Sequence, residues 1–153
     1  MRCTVSLVLC LLVALSSVRA QPSEKDAVLA TVNKLFDGMR ARDRALLLSA
    51  FDESARLVRV RDQDGSPAVT SVSMDRFADS VVAAKAGDVW DERLRDPEVR
   101  IDGTLAQVWG FYTFRLNGSI NSCGTDAFML LKVGATWKIT QVADTQRRDN
   151  CDK

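Results

Sequence analysis

The side chains best suited to move a proton lie in the C-terminal half of the chain, on the apolar faces of predicted strands. Tyr112 shares a face with Val108 and Phe114, and Asp126 shares one with Phe128. Desolvation raises the pKa of an unpaired acid on such a face, and a nearby phenol could share its proton. A carboxylate base beside a hydroxyl donor suits the enolisation or dehydration of a small carbonyl compound. The structural alternative is that Asp126 begins a strand near solvent and is bonded to backbone or to an arginine.

Asp144 has the same two interpretations. It follows Val142 and precedes Arg147 and Arg148, so it either faces a pocket or pairs with an arginine at the strand end. Trp90 is a candidate pocket wall, because aromatic rings bind flat molecules through their area and geometry. The predicted ligand contacts are Trp90, Tyr112, Asp126, Phe128 and Asp144, with Asp126, Asp144 and Tyr112 as candidate catalytic residues.

The composition excludes several classes of function. The 153 residues contain no histidine, which removes Ser-His-Asp and Cys-His catalysis, His-ligated zinc and the HExxH peptidases. The 21 basic and 20 acidic residues nearly cancel, so neither nucleic acid nor an anionic membrane is a predicted partner. The eight glycines form no dinucleotide or triphosphate loop, and no cofactor is predicted.

Two short motifs have simpler explanations as turns. Asp62, Asp64 and Gly65 resemble the start of a calcium loop, but the later acidic ligands are missing, so no metal is predicted. Asn117-Gly118-Ser119 satisfies the glycosylation pattern, and an Asn-Gly hairpin turn explains it equally well.

The first twenty residues are typical of a signal peptide. A positive start at Arg2 is followed by an apolar stretch, Val5 to Leu15, that is too short to span a bilayer. Small or modest side chains at Val18 to Ala20 predict cleavage after Ala20. We therefore expect residues 1–20 to be removed, leaving one domain, residues 21–153, that is secreted or periplasmic.

The exported chain would keep two cysteines, Cys123 and Cys151. In an oxidising compartment a disulfide between them is the leading interpretation, closing a loop of 28 residues. Two free thiols or a metal pair are the alternatives.

Helical patterns occupy the first half of the chain. Ser23 and Asp26 form a capping-box pattern ahead of apolar residues at helical spacing from Val28 to Met39. Asp43 caps a second, short helix whose apolar side includes Leu46, Leu47, Ala50 and Phe51. A third helix starts at Ser73 and buries Phe77, Val81 and Val82.

The remaining segments alternate with the period of strands. The predicted strands are Ala55 to Arg61, Ala68 to Ser73, Val89 to Ile101, Leu105 to Leu116, Asp126 to Val133 and Trp137 to Arg147. The last four form an antiparallel meander. Changes of parity at Asp96-Pro97 and between Ile139 and Val142 predict bulges, which bend a sheet. The predicted fold class is α+β, a curved antiparallel sheet with three helices packed on its concave face.

Specific runs of residues resemble the nuclear transport factor 2-like superfamily, which includes ketosteroid isomerase, scytalone dehydratase and polyketide cyclases. The resemblance covers about residues 24 to 148 and is most specific in the C-terminal half. Its motifs are Trp90-Asp91-Glu92-Arg93-Leu94, Leu105-Ala106-Gln107-Val108-Trp109, Tyr112-Thr113-Phe114, Asn117-Gly118, Cys123-Gly124, Asp126-Ala127-Phe128, Trp137-Lys138-Ile139 and Ala143-Asp144-Thr145.

The resemblance implies a cone-shaped fold with a pocket, but not a reaction, because members of the superfamily do unrelated things. It also implies a homodimer through the outer face of the sheet, which here carries Trp109 and Phe111. Ser122 stands where relatives often carry histidine, so chemistry that uses that imidazole does not transfer.

The predicted function is that of an exported domain whose conical pocket binds a small apolar or aromatic molecule. One alternative is an isomerase, dehydratase or cyclase with an aspartate base and Tyr112 as the donor. The other is a dimeric interaction domain whose pocket is filled.

Overall fold

The computed structural model describes residues 23–151, which form three helices and one six-stranded sheet. The predicted signal peptide, residues 1–20, lies outside the described residues. The helices are α1 (Glu24–Ala41), α2 (Arg44–Ser49) and α3 (Met74–Val82). The strands are β1 (Phe51–Gln63), β2 (Ser66–Ser73), β3 (Trp90–Asp102), β4 (Leu105–Leu116), β5 (Ser119–Val133) and β6 (Thr136–Asp144).

Each helix begins at the cap that the sequence predicts. The Ser23 hydroxyl accepts a hydrogen bond from the backbone N–H of Asp26, and the Asp26 carboxylate accepts one from the backbone N–H of Ser23. Asp43 caps α2 through the N–H of Leu46 at 2.9 Å, and Ser73 caps α3. These side chains satisfy N–H groups that have no partner inside the helix.

The strands are ordered β2-β1-β6-β5-β4-β3 in a curved sheet. Strands β3 to β6 form the predicted antiparallel meander, and β1 and β2 form a hairpin. One junction departs from the antiparallel prediction, because β1 runs parallel to β6. The chain crosses from β2 through α3 to the far edge, so its last strand returns beside its first.

Two predicted bulges are confirmed. The pairing of β3 with β4 shifts between Arg95 and Glu98, where Asp96 has a φ of 44°. The pairing of β5 with β6 shifts opposite Met129 and Leu130, which leaves Thr140 as the extra residue. Beyond each bulge, the positions that face the helices are shifted by one residue. Both bulges also increase the curvature of the sheet.

Several predicted boundaries are wrong. Phe51 begins β1 instead of ending the second helix, and β6 ends at Asp144, before Arg147. Strand β5 begins at Ser119, seven residues earlier than predicted, so Asp126 lies in the middle of a strand. The early part of β5 escapes a period-two pattern because it is polar and its register shifts opposite Phe114 and Arg115.

The core lies between the helices and the concave face of the sheet. Phe36 of α1 meets Phe128 of β5 edge to face, with ring centroids 6.2 Å apart. The largest fully buried apolar side chains around them are Val28, Val32, Leu47, Val81, Val108, Leu130 and Ile139. This packing fixes the helices against the sheet.

The C-terminal segment is fastened to β5. A disulfide joins Cys123 to Cys151, whose Cα atoms are 5.5 Å apart. The backbones of Cys123 and Arg147 also exchange two hydrogen bonds of 2.9 Å. Over residues 23–151, none of the helices has the length and apolar character needed to span a membrane.

Candidate functional site

A cavity of about 450 Å³ lies between the concave face of the sheet and helices α1 and α3. One part of its wall is apolar and aromatic. Trp90 and Phe114, on neighbouring strands, contact each other edge to face at 5.6 Å. The other apolar lining residues are Leu35, Met39, Leu57, Val72, Met74, Phe77, Phe128 and Val142.

The other part of the cavity wall carries charged side chains from four strands. The strand register explains their proximity, because Asp126 of β5 is paired with Asp144 of β6, and Asp144 is paired with Arg59 of β1. Cross-strand partners place their side chains side by side on one face. Glu92 of β3 is outside this row but also lines the cavity. We call Arg59, Glu92, Asp126 and Asp144 the polar cluster.

Asp144 both faces the cavity and forms an ion pair. Its carboxylate accepts a hydrogen bond from the Arg59 guanidinium, with side chains only 6% and 16% exposed respectively. Sequence reasoning placed the partner arginine at the end of the same strand, which is wrong. The partner comes from β1, whose parallel pairing with β6 brings two distant parts of the chain together.

Glu92 and Asp126 form an interacting pair of carboxyl groups on the cavity wall. Burial, followed by repulsion from the Asp144 carboxylate, raises the pKa of Glu92 to about 7, although Arg59 opposes the shift. Burial and the neighbouring carboxylates of Glu92 and Asp144 also raise the pKa of Asp126 well above its ordinary value. Both shifts favour the protonated form of these carboxyl groups.

The structural alternative placed Asp126 near solvent, and the structure shows that this is wrong. It is 2% exposed in the middle of β5. Its Oδ2 atom is buried without a hydrogen-bond partner among residues 23–151. A buried acceptor without a donor is costly, so this oxygen needs a donor from a molecule in the cavity.

Tyr112 lies beside the polar cluster but its hydroxyl is already used. The phenol is buried and donates a 3.0 Å hydrogen bond to the backbone carbonyl of Thr145. Burial, with the negative charges of Glu92, Asp144 and Asp126, raises the pKa of Tyr112 above its ordinary value. The phenol hydroxyl has only one hydrogen to donate. It can therefore stabilise an oxyanion only by giving up its hydrogen bond to the Thr145 carbonyl.

All five residues predicted as ligand contacts line this cavity: Trp90, Tyr112, Asp126, Phe128 and Asp144. Sequence reasoning missed Glu92 and Arg59. The position of Glu92 carried a signal, because it lies midway between Trp90 and Leu94 on the same face of β3. Arg59 had no comparable signal, since its place depends on the pairing of β1 with β6.

The remaining polar lining includes Ser122, the residue that stands where the resemblance predicts histidine. Its hydroxyl accepts a 3.3 Å hydrogen bond from the Gln146 amide. Arg76 of α3 also lines the cavity and is exposed to solvent. Within residues 23–151, no group of three acidic or sulfur side chains is arranged to hold a metal ion.

The outer face of the sheet carries the two aromatic residues predicted for a dimer. Trp109 is 53% exposed. Phe111 is half-buried, with the guanidinium groups of Arg95 and Arg147 at 4.6 and 5.3 Å from its ring centroid. These contacts place both rings on the face opposite the cavity.

A curved sheet wrapped by three helices around a cavity defines a nuclear transport factor 2-like protein. Within that superfamily the chain belongs to the family described as "Putative lumazine-binding", whose sequence model matches residues 23–143. The comparison with curated proteins gives no match.

Solved structures share the fold. An NTF2-like protein of unknown function from Shewanella baltica OS155 is 20% identical, with a TM-score of 0.62 over 81% of this chain and 94% of that one. A protein of unknown function with a cystatin-like fold from Nostoc punctiforme is 9% identical, with a TM-score of 0.63 over 85% and 97%. A putative ketosteroid isomerase from Shewanella frigidimarina is 17% identical, with a TM-score of 0.56 over 78% and 94%.

Proposed function

We propose that this protein binds a small, flat heteroaromatic molecule in the cavity between its sheet and its helices. The observation that carries the proposal is the division of the cavity wall into an aromatic part, with Trp90 and Phe114, and the polar cluster. Ligand sites commonly combine an apolar wall with a few polar groups that fix orientation. The family description supports lumazine, a two-ring heteroaromatic, as the first molecule to test.

The size of the cavity also supports ligand binding. Its volume of about 450 Å³ falls within the roughly 300–1,000 Å³ typical of small-molecule sites. Protein side chains do not fill this space, which disfavours the alternative of an interaction domain with a filled pocket.

Blocking the cavity tests this proposal. Val72 and Val69 lie on the same strand, but Val72 lines the cavity and Val69 is 73% exposed. We expect Val72→Trp to weaken lumazine binding by about tenfold or more, since the indole would occupy the ligand's space, whereas Val69→Trp should retain it. Isothermal titration calorimetry measures both affinities. Equal affinities in the two variants would contradict binding in this cavity.

Proton transfer is the second candidate function, and the Glu92–Asp126 pair favours it. A pair that titrates near neutral pH can both accept and return a proton. In an isomerase, dehydratase or cyclase of this kind, Asp126 or Glu92 would be the base. Tyr112 is a weaker candidate for the donor, because its hydroxyl already donates to the Thr145 carbonyl. NMR can follow deuterium exchange into the two-ring ketone 2-tetralone in D₂O. We expect Asp126→Asn to abolish protein-catalysed exchange, and no exchange with the unmodified protein would exclude this chemistry for that ketone.

We also infer that the protein is exported, with cleavage after Ala20, and that two copies pair through the outer sheet face. The disulfide Cys123–Cys151 is compatible with an extracellular location. The intact mass of protein recovered from the exported fraction tests the cleavage: a chain that begins at Gln21 is expected. A chain that keeps residues 1–20 would contradict it.

A further inference from the structure

The hydrogen-bonding inventory of the polar cluster indicates which ligands it selects. The three carboxyl groups supply six acceptor oxygens, and the donors around them are few. The Arg59 guanidinium donates to Asp144, and the Tyr112 hydroxyl donates to the Thr145 carbonyl. Each carboxyl group of Glu92 and Asp126 has two oxygens and at most one proton, so the pair adds at least as many acceptors as donors. The unpartnered group next to Glu92 is an acceptor, Asp126 Oδ2.

The unused acceptor is well defined. Asp126 Oδ2 is buried, lines the cavity and has no hydrogen-bond partner among the described residues. The carboxyl group of Glu92 lies beside it, half-buried at the cavity wall. Two adjacent acceptors in one wall are complementary to two adjacent N–H donors on the edge of a flat ring.

We propose that the Glu92–Asp126 pair selects heteroaromatic ligands with an amidine-type edge, which is a ring N–H next to an amino group. This proposal rests on the proposed function. The ring would lie against the wall that contains Trp90 and Phe114, with its donor edge directed at the two carboxyl groups. A ligand whose ring N–H is next to a carbonyl instead would place an acceptor against an acceptor. That arrangement leaves buried polar groups unsatisfied and lowers affinity.

The other charged groups at the cavity do not reverse this preference. Arg59 is paired with Asp144, and its buried Nε–H, which has no hydrogen-bond partner among residues 23–151, lies on β1, two strands from Asp126. Arg76 of α3 is exposed to solvent. The Ser122 hydroxyl already accepts a hydrogen bond from Gln146. The carboxyl pair is thus the part of the cavity with an unmet need for donors.

Pterin and lumazine form a matched pair of probes, because they differ in carrying an amino group or a carbonyl at position 2 of the same two-ring system. We expect pterin to bind the purified protein, expressed from the full sequence, about tenfold or more tightly than lumazine at pH 7. Calorimetry or the intrinsic fluorescence of both probes gives the two dissociation constants. Equal affinities, or tighter binding of lumazine, would overturn the selectivity while leaving the proposed binding function intact. Failure of both probes to bind would contradict both proposals.

The Asp126→Asn variant provides a second test, because it should change the preference between pterin and lumazine. The asparagine oxygen accepts from a ring N–H and its amide nitrogen donates to a neighbouring carbonyl, which is the pattern that lumazine presents. We expect the ratio of pterin to lumazine affinity to fall by about tenfold, to parity or below. Glu98→Gln, which removes an exposed carboxylate on the same strand as Glu92, should leave the ratio unchanged.

A second variant covers the case in which Asp126→Asn does not fold. If Asp126→Asn fails to give a cooperative thermal transition, Glu92→Gln provides the same measurement from the other member of the pair. A ratio that stays at the wild-type value in a folded variant of either residue would overturn the role of the carboxyl pair.

Discussion

At the scale of single residues, Glu92 makes the stability of the fold depend on pH. Its pKa is about 7 in the folded protein, against an ordinary value of 4.5, because burial and the Asp144 carboxylate disfavour its charge. The folded state therefore binds more protons than the unfolded chain between these values, and the free energy of unfolding falls as pH rises through the interval. Asp126, whose pKa is also raised, acts in the same direction, while Arg59 opposes both.

We predict that Glu92→Gln removes much of this dependence. The variant should be more stable than the wild type at pH 8, by up to about 3 kcal/mol, and the difference should shrink towards pH 5. Urea unfolding at several pH values measures it, with Glu98→Gln as a control that keeps the wild-type slope. Parallel pH profiles for the wild type and Glu92→Gln would show that Glu92 is charged in the folded protein.

The hydroxyl of Tyr112 contributes one buried hydrogen bond to the fold. Its bond to the Thr145 carbonyl links β4 to the segment that follows β6. Tyr112→Phe should lower the free energy of unfolding by about 1 kcal/mol, the usual net value of one buried hydrogen bond. The affinity for lumazine should stay within about threefold of the wild type, since the hydroxyl points to the backbone. A large loss of affinity with unchanged stability would instead indicate that the phenol contacts the ligand.

The candidate site was predictable to the extent that it follows from alternation along single strands. Trp90, Tyr112 and Phe128 lie at the cavity because each occupies the apolar parity of its strand. The ion pair of Asp144 with Arg59 was not predictable, because it requires knowledge of which strands are neighbours. The same limit applies to the carboxyl pair, because Glu92 and Asp126 are far apart in sequence and lie on strands separated by β4.

At the scale of elements, the disulfide holds the chain's last segment against β5. Cys151 lies 28 residues after Cys123 and is buried, although residues 145–150 before it are exposed. Replacing both cysteines by alanine should cost about 2–4 kcal/mol of unfolding free energy, the value expected for closing a loop of this length.

Urea unfolding with and without dithiothreitol tests this prediction. The reductant should destabilise the wild type and leave the double alanine variant unchanged. A wild type that dithiothreitol does not destabilise, although mass spectrometry shows its thiols to be free, would contradict a stabilising role for the bridge.

The elements themselves were predictable where local signals were strong. Three capping residues, Ser23, Asp43 and Ser73, set the helix starts, and two changes of parity located the bulges in β3 and β6. The parallel junction between β1 and β6 was not predictable, since no local pattern distinguishes the neighbour of a strand. The beginning of β5 was missed for a local reason, its polar and irregular sequence.

At the scale of the whole molecule, the two faces of the sheet differ in what covers them. The concave face encloses the cavity, whereas the outer face exposes apolar side chains across neighbouring strands. Leu105 and Leu131 are directly paired and each is 44% exposed, and Trp109 lies further along the same face at 53%. A patch of this kind is typical of a protein interface.

We predict that Trp109→Glu separates a dimer into monomers. A charge within an apolar interface would lose its hydration without gaining a partner. The free energy of this desolvation exceeds the association free energy of a weak dimer. Val69→Glu is the matched control, because Val69 is also an exposed apolar residue but lies on the β1–β2 hairpin at the opposite edge of the sheet. Sedimentation velocity at micromolar concentration should show a dimer for the wild type and Val69→Glu, and a monomer for Trp109→Glu. A monomeric wild type would exclude the outer-face dimer. A dimer that survives Trp109→Glu would place its interface elsewhere on the molecule.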